Sequence, residues 1–148
     1  MAGEVTTLGD ARRRLTLLTR VRDDWRAAMR DLVRAYDAEF TDPPITLRIH
    51  AFQGGMALRW RRRGRGSKAG GQSVFTLTSD HGRRIVEHLP RAAQDRMLEY
   101  DRLACNMNLH AGIATCTADR VKRYLHTLEI HEHWRQKFGV VSMHRATG

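Results

Sequence analysis

The sequence predicts an α+β fold: a long N-terminal amphipathic helix or helical hairpin, a three-stranded antiparallel sheet, and C-terminal helices packed on one sheet face. Three observations predict it. Apolar residues recur every three or four positions over 7–40, every second position over 45–78, and at helical spacing again over 79–139. At 148 residues, 41% of them hydrophobic, the chain suits one globular domain spanning 1–148.

The first element rests on Ala11, Leu15, Leu18, Val21, Trp25, Met29, Leu32 and Tyr36, which form one apolar stripe. No Gly or Pro interrupts the run after Gly9, and Asp42-Pro43-Pro44 ends it, because proline cannot continue the backbone ladder. A helix over 7–40 would be roughly 50 Å long, so it either protrudes or folds into a hairpin near Arg20–Asp24. Its stripe serves as core or as the seam of a homodimer, with Arg22 interrupting one register of that seam.

Ile45, Leu47 and Ile49 then alternate with Thr46, Arg48 and His50, and Met56, Leu58 and Trp60 alternate with Ala57, Arg59 and Arg61. Gln53-Gly54-Gly55 supplies the turn between them. A basic, glycine-rich loop leads to a third strand expected over Ser73–Thr78, with Phe75 and Leu77 on the core side. A one-residue slip would reverse both faces, so the pattern sets the register strongly. The outer face then carries Thr46, Arg48, His50, Arg59, Arg61, Thr76 and Thr78, with no carboxylate among them.

The rest reads as helical. Ser79 or Asp80 caps a short helix through Ile85, Val86 and Leu89. Pro90 starts another, with Ala93, Met97, Tyr100, Ala104 and Met107 on one face. Ala111-Gly112 is expected to break it, Thr117 to cap a last helix, Gly139 to close that helix, and 140–148 to be a loose tail.

Charge is the most informative global property. The net charge is +10, with 26 Lys and Arg against 16 Asp and Glu. Residues 41–78 carry 7 cations and 1 carboxylate, so the surplus is concentrated in the strands and their loop. Most of the cations are Arg, whose planar fork suits phosphate. Arg48, His50, Arg59, Arg61, Arg62, Arg63, Arg65 and Lys68 are therefore the expected nucleic-acid contacts, with DNA favoured over RNA. Trp60 is expected in the core rather than stacked on a base. A carboxylate-rich protein surface is the alternative partner for the same cations, in an inhibitor or adaptor role.

Other chemistry finds little support. The sequence has no G-x-x-x-x-G-K-[ST], G-x-S-x-G or H-E-x-x-H motif, and an enzyme is not expected. His126, His131, His133, Glu129 and Glu132 read as a polar helix face, and Cys105, His110 and Cys116 lack finger spacing, so no metal or other cofactor is expected. Two cysteines define no disulfide framework. With no secretory leader and no apolar run long enough to span a bilayer, the expected location is cytoplasmic, without a membrane partner.

At Leu58-Arg59-Trp60-Arg61-Arg62, Phe75-Thr76-Leu77 and Asn106-x-Asn108, the chain resembles a family of small uncharacterised proteins of proteobacterial integrating conjugative elements. The resemblance covers most of 41–130 and implies a role in processing or maintaining mobile DNA, without supplying a catalytic residue. Mobile elements also encode inhibitors of host defence, so it accommodates the inhibitor alternative as well, for example an anti-CRISPR-type protein gripping a ribonucleoprotein.

Overall fold

The computed structural model describes residues 4–5, 7–62 and 74–146, with side chains through Gly139. The elements are α1 (Leu8–Glu39), β1 (Ile45–Phe52), β2 (Gly55–Arg62), β3 (Val74–Phe75), α2 (Asp80–Val86) and α3 (Arg91–Ala146). Residues 22–113 form one compact unit and residues 1–21 with 114–148 another.

α1 begins on a capping box. The Asp10 N–H donates to Thr7 Oγ1 at 3.1 Å, and the Thr7 N–H donates back to Asp10 Oδ2 at 3.2 Å. The helix then runs unbroken, so the hairpin near Arg20–Asp24 does not form; with no Gly or Pro in this stretch, nothing offsets the loss of backbone hydrogen bonds that a break would bring. The seam differs from expectation at one turn. Val21 is 43% exposed, and Arg22 occupies the heptad position between Leu18 and Trp25, its side chain 22% exposed. Asp42 ends the approach to the sheet in the left-handed region at φ 48°, which short polar side chains tolerate.

The strands pair antiparallel in the order β1-β2-β3. Leu47 lies opposite Trp60 and Ile49 opposite Leu58, while Gly54 turns the hairpin at φ 86°. Ile45, Leu47, Leu58, Trp60 and Leu77 are buried with Met29, Leu32, Tyr36, Met97 and Tyr100, and Ile49, Met56 and Phe75 pack half-buried against them. The expected core face is the observed one. β3 is shorter than the alternation suggests. After Phe75 the chain turns, with the Ser79 N–H donating to the Thr76 carbonyl at 3.0 Å and Ser79 Oγ accepting from the Gly82 N–H at 3.2 Å to cap α2. Backbone groups that a longer strand would pair are used in that turn and cap.

Where β3 stops, a side chain takes its place on the edge of β2. The Leu58 N–H donates to Asn108 Oδ1 at 2.7 Å, and Asn108 Nδ2 donates to the Leu58 carbonyl at 3.0 Å. The Tyr36 hydroxyl donates to the Ile45 carbonyl at 2.8 Å, and burial raises its phenol above the ordinary value.

α3 is one helix of 56 residues. The expected break at Ala111-Gly112, the cap at Thr117 and the end at Gly139 are corrected, as is the loose tail, since helix continues through 140–146. A single interior glycine costs a helix only about 1 kcal/mol, and no proline follows Pro90. Ala104 and Ala111 are buried in the 22–113 unit. In the other unit Ala11, Ala114 and Ala118 are buried, and Arg12 pairs with Glu129 at 3.5 Å. Among the described residues no helix is long and apolar enough to cross a membrane.

The end of α1 is tied to α3 by Glu39, whose carboxylate accepts from Arg96 Nε at 2.6 Å, Arg96 Nη2 at 2.9 Å and the Tyr100 hydroxyl at 2.6 Å. The Arg96 guanidinium, with Tyr100 second, holds the Glu39 carboxyl down at about 2. A depressed carboxyl stabilises the fold fully above its ordinary value near 4.5 and loses that contribution as pH falls toward 2. Urea midpoints measured from pH 6 to pH 2 should therefore fall in this window, and Glu39→Gln should flatten the fall.

Candidate nucleic-acid interface

Strand alternation divides the basic residues between two faces. On the side away from the core, Arg61 lies opposite Thr46, Arg59 opposite Arg48, and Ala57 opposite His50, with Val74 of β3 on the other flank of Arg61. Arg59 is exposed, and Arg61, Thr46 and His50 are half-buried. Among the described residues neither Arg59 nor Arg61 is in an ion pair, and Arg61 Nε is buried without a hydrogen-bond partner.

Arg48 behaves differently. Two like charges directly opposite across a strand pair are unfavourable, and Arg48 relieves this by reaching α1. Its Nη1 donates to Asp37 Oδ1 at 2.9 Å, to Asp37 Oδ2 at 3.1 Å and to the Leu47 carbonyl at 2.7 Å. The strand positions of the outer face carry no carboxylate, as expected, but the helix supplies one, so Arg48 is partly neutralised and Arg59 and Arg61 are not.

Arg62 lies opposite Ile45 and shares the parity of Trp60 and Leu58. It lines an open cleft beside α2 and so is separated from Arg59 and Arg61 by the sheet. Arg63, Arg65 and Lys68, the remaining expected contacts, lie outside the described residues. Trp60 is 3% exposed and donates its indole N–H to Asp101 Oδ1 at 2.8 Å, which fixes it in the core.

Among the described residues no three His, Cys, Asp or Glu side chains are close enough to hold a metal ion. Cys105 and Cys116 are free thiols, and burial followed by the nearby Asp101 charge raises the Cys105 thiol. Sequence reasoning missed Asp37 and Asn108, whose partners are 11 and 50 residues away. Asp80-His81 reads in the sequence as an ordinary helix-cap pair, and Arg84 and His88 were passed over, although they follow His81 at spacings of three and four residues.

Comparisons with protein-family models, with curated proteins and with solved structures gave no match for this chain.

Proposed function

We infer that the protein acts by binding nucleic acid through the outer face of its sheet, with Arg59 and Arg61 on phosphates and His50 and Thr46 as hydrogen-bonding neighbours. The observation that carries this reading is a pair of guanidinium groups without an ion-pair partner among the described residues, on a strand face that has no carboxylate of its own. Packing does not call for them there: Asp37 offsets only part of the like charge that Arg59 places opposite Arg48, and a phosphate backbone would offset the rest while releasing counterions. Arg63, Arg65 and Lys68 follow β2 in sequence and add three cations to the expected contacts. An antiparallel ribbon is also a shape that enters the major groove of a duplex, which favours DNA over RNA.

Asp37 supplies a test that separates this reading from a merely solvated face. Asp37→Asn releases Arg48 and removes a negative charge beside the strands. Anisotropy of labelled duplex DNA at about 50 mM salt should then show affinity rising by on the order of threefold, while Arg61→Ala lowers it. If neither variant changes affinity, the nucleic acid is not held on this face. Binding by an acidic protein with none to nucleic acid would transfer the same cations to the inhibitor or adaptor role.

In the unit of residues 1–21 and 114–148, Leu17, Ile130, Trp134 and Phe138 are large and exposed. Association of two copies through α1 would cover Leu17 and double the basic surface, raising avidity for a polyanion.

A further inference from the structure

We propose that the cleft between the end of β2 and α2 is a second, separate binding site for a nucleoside monophosphate. Among the described residues four donors line it: Arg62 from the strand, and His81, Arg84 and His88 from α2 and the residues just past it. Its apolar lining is Pro44, Ile85 and Leu89. The cleft holds about 610 Å³, within the roughly 300–1,000 Å³ usual for small-molecule sites.

The chemistry of the lining selects the ligand class. Among the described residues no carboxylate lines the cleft, and neither Arg62 nor Arg84 is in an ion pair. Asp80 and Glu87, the two carboxylates of this segment, lie outside the lining. Two guanidinium forks and two imidazoles suit a group with about two negative charges and three acceptor oxygens, which is a phosphomonoester rather than a backbone diester. The apolar lining would serve no purpose for inorganic phosphate, but it offers a surface for a base and its sugar.

His81 and the segment carrying His88, two of the four, are also held in place. His81 packs edge-on against Phe75, with ring centroids 5.1 Å apart. Beyond α2 the Leu89 N–H donates to the Val86 carbonyl at 3.0 Å, and Gln94 Nε2 donates to the Leu89 carbonyl at 2.9 Å, which fixes the segment that carries His88. A preformed site loses less freedom on binding than a loop that must order.

The same phosphomonoester has two sources, a free mononucleotide or the 5′ end of a strand. Isothermal titration of the full chain with adenosine 5′-monophosphate, adenosine and inorganic phosphate tests the site itself. The monophosphate should bind more tightly than either fragment, and Arg84→Ala should weaken it by about tenfold, the loss of one charge-assisted contact. Arg84 is exposed and outside any ion pair among the described residues, so this variant should fold normally. Arg61→Ala, on the other face of the sheet, should leave monophosphate binding unchanged. No heat with the monophosphate, or a heat indifferent to Arg84→Ala, overturns the proposal. Anisotropy with 5′-phosphorylated and 5′-hydroxyl oligonucleotides then distinguishes the sources. A preference for the phosphorylated strand that Arg84→Ala abolishes identifies a strand end, and equal binding of both strands identifies the free nucleotide. Monophosphate binding that persists when no oligonucleotide binds would overturn the outer-face reading and leave this site standing.

Discussion

Gly82→Ala should lower the stability of the 22–113 unit by roughly 1–3 kcal/mol, the usual cost of forcing extra volume into a packed site. Helix propensity alone predicts the opposite sign, since alanine in place of glycine inside a helix usually gains about 1 kcal/mol. The geometry decides between them. A Cβ on Gly82 would stand 2.1 Å from the Leu77 carbonyl oxygen and 2.6 Å from its carbon. Both obstacles are backbone, so no rotamer change makes room. Leu77 is itself 2% exposed, and α2 would have to lift away from it. A urea titration followed by tryptophan fluorescence should show a lower midpoint. A higher midpoint would mean that α2 does not sit against Leu77, and the cleft of Arg62 and Arg84 would lose its platform with it.

Asn108 is the second position where a single atom exchange should have a large effect. Its amide completes the edge of β2 by accepting from the Leu58 N–H and donating to the Leu58 carbonyl. Leu58 is 3% exposed, and a buried backbone group left without a partner costs about 1–3 kcal/mol. Asn108→Ala removes both partners and should cost roughly 2–4 kcal/mol, reduced if water enters the space beside Cys105. Asn108→Asp keeps an acceptor for the N–H but turns a second oxygen toward the carbonyl. It should be no better than the alanine variant at neutral pH. Protonation restores a donor, so the folded state raises the new carboxyl above its unfolded value, and stability should recover as pH falls through that raised value. A difference between Asn108→Asp and the parent that is the same at pH 7 and pH 4 would contradict the two-way bridge.

How much of this was legible in the sequence depends on the range of the interaction. The strand faces were readable because alternation is local and only one register buries Leu47, Leu58 and Trp60 together. The short third strand was not, since Phe75 and Leu77 alternate equally well in a strand and in a turn leading to a helix cap; only the Ser79 cap distinguishes them. Gly112 read as a breaker, whereas Ala104, Ala111, Ala114 and Ala118 at three-, four- and seven-residue spacing carried the signal that the helix continues. At the candidate interface the cations were evident from composition, but not their division. Arg62 differs from Arg61 by the parity of one residue, and the partner of Arg48 lies on another element, where no local pattern announces it.

The outer-face reading is tested most directly by the salt dependence of binding to duplex DNA. Arg59 and Arg61 with Arg63, Arg65 and Lys68 make five cations for five phosphates, so log affinity against log salt should fall with a slope of about −4.5. The double variant Arg59→Ala/Arg61→Ala should reduce that slope by about 1.8 while leaving the urea midpoint at or slightly above the parent's, since it removes the like charge opposite Arg48. A flat salt dependence, or a slope that the double variant leaves unchanged, would show that the outer face of the sheet does not hold the phosphate backbone.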